Sequence, residues 1–464
     1  MTRRALNPTP RALVAVGLIS LIAPPVAGAQ QSPDPASLTL PQAVDLAQQS
    51  HPSVGIAMAG AEAAAAAVGQ AKSAWWPQLG TQADVTRFQK PMLVAPIHGF
   101  APADVEQIEF ANTLIRGNLS LGWTIFDGTR VNRVRAARAG AAGAVAGQTA
   151  AQMGLTARVT FAYLQVLTAR GILDAIERRT EALAAERRRV EQLLEQGQAA
   201  RVEALRVDAA LAQAEAERVA TATRLDLAER DLARWVQLAP EETRVARLQP
   251  VRLGASARLE DRSALAERAV MNNPELEGAR RALEAAEAGR RVAKGSWIPN
   301  LALGGAYQVF SSDNAFNDEG NTTTEWNVGI ALSYPLFTGG DRSNTVSQAT
   351  AEARRAREEL RLAELETREA VDRAINAALE TGALVAALAR AEQHQTEVAR
   401  IELLSLEAGA GTQTDYLRAE ADLARARSLL VEAQHTEIAA WVEVARVVGE
   451  LTPEWLARTV EAAR

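Results

Sequence analysis

Apolar residues recur along this chain with two different periods, and the two periods take turns. Trp326, Val328, Ile330, Leu332 and Tyr334 alternate with Asn327, Gly329, Ala331 and Ser333. Leu119, Leu121 and Trp123 alternate with Asn118, Ser120 and Gly122, and Leu301, Leu303, Tyr307 and Val309 keep the rule less cleanly. A period of two predicts strands. One apolar row with aromatics at the strand ends, opposite a row of small and polar residues, is the pattern of a membrane β-barrel: apolar to lipid, polar to lumen. Any one such strand fits a half-buried soluble sheet as well. Four of them, flanked by long helices, favour the barrel.

The other period is helical. An Ala-rich helix is predicted over residues 41 to 74 and again over 263 to 296, ended by Pro77 and Pro299, because proline cannot continue a helix interior. Pro-, Gly-, Asn- and Asp-rich loops join the strands at 89 to 113 and 311 to 324. The second carries Asp313, Asp318 and Glu319 with no Lys or Arg, which serves solubility or a mildly negative outer mouth. Residues 129 to 195 contain no proline. Leu173, Ile176, Thr180, Leu183, Arg187, Val190 and Leu194 keep coiled-coil spacing there, with Thr180 and Arg187 as polar interruptions. About 67 residues rising 1.5 Å each reach roughly 100 Å. Gly197 and Gly409 mark reversals, and helices of about 40 residues return from them. No globular core needs helices this long, whereas a tube wall does.

The chain is duplicated. With His51-Pro52 set over Asn273-Pro274, Glu62 falls on Glu284, Lys72 on Lys294, Trp75 on Trp297, Pro77 on Pro299 and Phe88 on Phe310. Past the shorter second loop, Gly197 falls on Gly409, Glu203 on Asp415 and Leu205-Arg206 on Leu417-Arg418. The repeats span about 40 to 238 and 262 to 449. A linker at 239 to 260 separates them, and a tail of 450 to 464 follows. Four strands cannot close a useful barrel. Closure therefore predicts a homo-oligomer, mainly α with a membrane β-barrel continued by long helices; three copies, a homotrimer, would give twelve strands and a pseudo-sixfold ring.

Composition adds exclusions. The chain has no cysteine, so thiolate metal sites and thiol nucleophiles are out. A net charge of -6 gives no reason to expect nucleic acid. His51, His98, His394 and His435 are scattered without metal-ligand spacing, and Gly409-Ala410-Gly411 is no phosphate loop. No catalytic residue, metal site or cofactor is predicted, and the chain is read as a non-enzyme. Arg3, Arg4 and Arg11, the apolar run from Ala12 to Ala23 and Ala27-Gly28-Ala29 predict a signal peptide over 1 to 29.

The order of marks resembles the TolC outer-membrane efflux family. Leu38-Thr39-Leu40 leads into a helix, then come His51-Pro52 and Trp76-Pro77-Gln78-Leu79. Later stand Trp123-Thr124-Ile125-Phe126-Asp127-Gly128 and Tyr334-Pro335-Leu336-Phe337-Thr338-Gly339-Gly340. The resemblance runs from about Leu38 to Gly449. It implies a trimeric channel in the bacterial outer membrane with a periplasmic extension, docking on a periplasmic adaptor protein and an inner-membrane transporter. Substrate would pass through without chemistry by this subunit. It assigns docking to the tips, Gln196, Gly197, Gln198 and Ala199 in one repeat and Ala408, Gly409, Ala410, Gly411 and Thr412 in the other. It places Glu203 and Asp415 at the periplasmic entrance. Arg206 and Arg418 lie three residues further on, a spacing that lets each pair with its acid. Phe126 and Phe337 are read as packing the strand-to-helix joint. Trp75, Trp123, Trp297, Trp326 and Tyr334 are read either as an interface belt or as core. The competing class is a periplasmic adaptor or structural coiled-coil protein, which explains the helices but not the strands.

Overall fold

The computed structural model describes residues 38–93, 110–239, 241–242, 248–254, 261–314 and 321–463. The expected signal peptide lies outside them, as do Asp318 and Glu319 and most of the first loop.

Repeat one opens with α1 (Leu40–Ser50) and α2 (Pro52–Ser73). It continues through β1 (Gln78–Leu93), β2 (Phe110–Phe126), α3 (Arg130–Glu195) and α4 (Arg201–Val236). After β3 (Val251–Leu253), repeat two runs α5 (Arg262–Asn272), α6 (Pro274–Gly295), β4 (Asn300–Asn314), β5 (Asn321–Ser333), α7 (Asp341–Glu407) and α8 (Gln413–Val448). A short α9 (Pro453–Thr459) and β6 (Val460–Ala462) close the chain.

The single helix expected before each strand pair is two helices. Pro52 and Pro274 push the residue before them out of the helical region. His51 and Asn273 are accordingly extended, with ψ of 130° and 120°. Each then caps the next helix. His51 Nδ1 accepts from the Ser53 amide at 3.2 Å, and Asn273 Oδ1 accepts from the amides of Glu275 at 2.8 Å and Leu276 at 3.2 Å. Proline at the first helical position sacrifices no hydrogen bond.

The strands pair antiparallel in the order β1-β2-β4-β5. They are 13 to 17 residues long, so they reach into the regions read as loops. The register sorts the side chains by face. Gln82, Asn118, Gln308 and Glu325 lie in one row across all four strands, and Asp84 pairs with Arg116 at 2.9 Å on that same face. Thr81, Leu119, Tyr307 and Trp326 form a row of the opposite face, next to Leu79, Leu121, Gly305 and Val328. Leu79, Val328, Ile330 and Leu332 on that face are each at least 65 % exposed, so this chain alone does not cover it. Among the described residues the sheet is open, and β1 and β5 are its unpaired edges.

Below the sheet, α3 and α7 run for 66 and 67 residues, and α4 and α8 return for 36 each. In the expected seam of α3, Ile176, Leu183 and Val190 are buried, whereas Arg187 is exposed and bridges Glu191 and Asp208. Val207, Ala214 and Thr221 answer from α4 at intervals of seven, a coiled-coil period. The largest core sits partway along the helices, where α1, α3, α8, α9 and the β3–β6 pair enclose Leu40, Val44, Val159, Tyr163, Leu232 and Leu451. The Tyr163 hydroxyl lies 2.8 Å from both the Leu38 and Gln249 carbonyls and ties the linker to the segment that leads into α1.

His435 of α8 is half-buried beside the Thr168 hydroxyl of α3, at 2.8 Å, and its partial desolvation lowers its pKa from 6.5 to about 4. Between those values the unfolded chain binds a proton that the folded chain refuses. Stability should therefore fall as pH drops from 6.5 towards 4, by roughly 3 kcal/mol at most. Thermal unfolding followed by circular dichroism should show that fall, and His435→Gln should remove part of it.

Candidate functional site: the helical tips and the strand-to-helix joint

At the far end of the helices the chain reverses twice. Gly197 and Gly409 have φ of 72° and 73°, left-handed values that favour glycine. Both turns are Schellman caps. Gln198 N donates to Leu193 O at 2.8 Å and Gly197 N to Leu194 O at 3.0 Å, while Ala410 N donates to Ser405 O at 2.9 Å and Gly409 N to Leu406 O at 3.1 Å. The turns then diverge. Thr412 caps α8, its hydroxyl accepting from the Asp415 amide at 3.2 Å and donating to Asp415 Oδ2 at 2.6 Å. Ala200 gives α4 no side-chain cap. Gln196, Gly197, Gln198, Ala408, Gly409, Ala410 and Thr412 are exposed, and Ala199 and Gly411 are half-buried.

The fold brings the two tips together. Arg206 Nη1 donates to Thr414 Oγ1 at 3.3 Å, from one repeat to the other. The expected pairs Glu203–Arg206 and Asp415–Arg418 do not form. Arg206 is turned to Thr414, Asp415 is held by Thr412, and Arg418 is exposed without a salt bridge. The capping interaction keeps the Asp415 carboxylate at the helix N-terminus, where the macrodipole also favours it.

Behind the tips lies a cluster that sequence reasoning missed. Glu186 of α3 is 4 % exposed and takes two bonds of 2.8 Å from Arg189. Gln413 of α8, also buried, donates to Glu186 Oε1 at 3.3 Å. The Glu186 carboxylate holds the Arg189 guanidinium charged. Burial, with the carboxylates of Glu420 and Glu186, pushes the neighbouring Tyr416 hydroxyl up. Glu186 is one acid among many on a charged helix. Only a break in the apolar seam, between Leu183 and Val190, could have pointed to it.

The joints at the other end repeat one device. The Arg130 guanidinium lies 4.7 Å above the Trp75 ring and donates to the Thr124 carbonyl. Arg342 lies 4.6 Å above Trp297 and 5.2 Å from Tyr334, and donates to the Pro335 carbonyl. Both arginines are buried. Phe126 and Phe337, expected to pack the joints, are 53 % and 88 % exposed in this chain, and the stacked arginine and tryptophan side chains stand there instead. Trp75, Trp123, Trp297, Trp326 and Tyr334 are each at least 38 % exposed, so none is a core residue of this chain.

A sheet with one bare apolar face and one polar face, set on helices of about 100 Å, defines a membrane channel wall. The chain belongs to the outer membrane efflux protein family, whose model matches residues 43–236 and 265–450, one stretch per repeat. It is thus a bacterial outer-membrane channel protein with a periplasmic extension, and the adaptor alternative is set aside. It is 28 % identical to the outer membrane protein TolC of Vibrio cholerae over 319 residues, 66 % of this chain and 70 % of that one. It is 27 % identical over 185 residues to the alkaline protease secretion protein AprF of Pseudomonas aeruginosa, covering 39 % and 38 % of the two chains. The outer membrane protein VceC of Vibrio cholerae has the same fold at a TM-score of 0.73 and 19 % identity, over 88 % of this chain and 96 % of that one. The Campylobacter jejuni CmeC outer membrane channel matches at 0.75 and 17 %, over 89 % and 85 %.

A side chain at Gly197 or Gly409 meets no atom within 4 Å, so alanine there costs backbone strain alone. Gly197→Ala and Gly409→Ala should each destabilise their turn by about 1–2 kcal/mol. Limited proteolysis should cut the substituted tip faster and leave the joint untouched.

Proposed function

We propose that three copies of this chain close a twelve-stranded barrel in the outer membrane and a helical barrel below it, forming a passive export conduit. The observation that carries this reading is the register of the open sheet. Its polar row of Gln82, Asn118, Gln308 and Glu325 suits a water-filled lumen, and its bare row of Leu79, Leu121 and Val328 suits lipid. Edges β1 and β5 have no partner within the chain and need one in a bilayer.

The exposed tips, Gln196 to Ala199 and Ala408 to Thr412, dock a periplasmic adaptor and, through it, an inner-membrane transporter. The secretion role in the name of the relative AprF supports an assembly of this kind. Glu203 and Asp415 give the entrance its carboxylates, and Arg206 and Arg418 offset them. The Glu186–Gln413 bond and the Arg206–Thr414 bond hold the second-repeat tip against the first. Opening the entrance requires the tips to separate, so these bonds bias the channel closed.

Planar-bilayer recording tests the conduit and its entrance together. The protein should form ion-conducting pores. Arg418→Glu should raise cation preference, since carboxylates at a constriction select cations. Glu186→Gln weakens a charge-assisted bond worth about 1.5–3 kcal/mol and should raise the open fraction several-fold. Absence of any conductance from folded, inserted protein would contradict the conduit. Unchanged selectivity in Arg418→Glu would remove the entrance assignment.

A further inference from the structure

The first repeat carries cations at its strand-to-helix joint that the second repeat lacks. Helix α3 opens with Arg130, Arg133, Arg135 and Arg138, and no acid lies in its first turn. Four arginines there oppose the helix macrodipole. In the register that sets Gly197 on Gly409, Arg130 falls on Arg342 while Arg135 and Arg138 fall on Ser347 and Thr350. Arg133 falls on Thr345, and the second joint keeps the arginine stacked on tryptophan, so the stacked joint does not depend on the three extra charges.

Their direction follows from the helix period. Near its start α3 has two exposed stripes. Arg133, Gly140 and Gly147 form one, and Val131, Arg135 and Arg138 the other. The buried side between them meets α6, where a side chain at Gly143 would touch Arg281 at 3.4 Å. Arg133 opens onto a cavity of about 710 Å³ whose strand residues lie mostly in register with the polar face, Ala302, Gly304, Asn327 and Ala331 among them, and whose rim Trp76 also reaches. The Arg135 and Arg138 stripe therefore points to the other side, that of the apolar face. Trp123, in the apolar row of β2, donates its indole N–H to the Trp75 carbonyl at 3.1 Å on this side.

There a second cavity, of about 630 Å³, is lined by Lys72, Trp75, Trp76, Val131, Arg135 and Arg138. Among the described residues, Lys72 and Arg138 form no salt bridge, and Arg135 meets only Asn132 Oδ1, at 3.4 Å. We propose that this cavity binds the phosphate of an anionic phospholipid headgroup in the periplasmic leaflet, a proposal that rests on reading the sheet as a membrane wall. Lys72, Arg135 and Arg138 meet the phosphate, as basic side chains beside a bilayer do. Trp75 and Trp76 lie at headgroup depth, where an amphipathic ring is favoured. Three cations without a carboxylate favour a headgroup of net negative charge over a zwitterionic one, which brings its own ammonium.

Native mass spectrometry of the full-length protein in mild detergent, titrated with phosphatidylglycerol or phosphatidylcholine, tests this. Electron microscopy of the same samples confirms that the barrel has assembled. Phosphatidylglycerol should bind with clear preference. Arg135→Ser with Arg138→Thr, which installs the side chains that the second repeat already uses, should weaken it roughly thirty-fold at about one kcal/mol per arginine. Lys72→Gln should weaken it less. Arg218→Gln with Arg224→Gln, exposed on α4 and remote from the joint, should bind as the parent does. Equal binding of the two lipids, unchanged binding in the serine–threonine variant, or full displacement by millimolar inorganic phosphate would each overturn the proposal. An assembled barrel with no lipid preference defeats this inference alone, whereas a protein that forms no barrel defeats the conduit as well.

Discussion

A β-sheet cannot stand in hydrocarbon with an unpaired edge, because each bare N–H or C=O there costs several kcal/mol. This chain makes four strands that sort their side chains into an apolar and a polar face, yet leaves β1 and β5 open. The chain's other features follow from that requirement. Duplication supplies two hairpins of one shape, and repetition around an axis is the economical way to pair the edges. Each hairpin stands on a long coiled coil, so under the proposed closure a ring of strands would carry a ring of helices below it.

The change from strand to helix is the difficult point in such a wall, since a sheet hydrogen-bonds sideways and a helix along itself. The chain handles it twice in one way. An arginine in the first helical turn folds back on a tryptophan of the incoming segment and donates to a carbonyl of the outgoing one. At Gly128 and Gly295 the two repeats approach so closely that a side chain at Gly295 would clash with the Gly128 carbonyl oxygen. The joint between repeats is therefore backbone against backbone. At the opposite end the repeats are held by side chains, Glu186 with Gln413 and Arg206 with Thr414. The proposed conduit therefore joins its repeats by backbone packing at one end and by side-chain hydrogen bonds at the other.

Much of this was legible in the sequence because it rests on local rules. Alternation marked the strands, Gly197 and Gly409 marked the turns, and the repeated Trp–Pro pairs marked where helix gives way to strand. The single helix expected across His51-Pro52 and Asn273-Pro274 fails for a local reason, since a polar residue before proline caps a new helix. The other differences arise where a tertiary partner decides. Spacing pairs Arg206 with the acid one turn away, but the other repeat offers the Thr414 hydroxyl. Hydrophobicity assigns Phe126 and Phe337 to the joint, where the structure stacks arginine on tryptophan. Glu186 leaves only a break in the apolar seam, since one of its partners, Gln413, stands more than two hundred residues further along the chain.

The central claim is that several copies close around a lumen. Imaging the detergent-extracted protein by electron microscopy tests it most directly. Helices of roughly 100 Å with a strand layer of roughly 40 Å predict a hollow rod about 140 Å long with threefold symmetry. A compact or monomeric particle, or a protein released from membranes without detergent, would contradict the account.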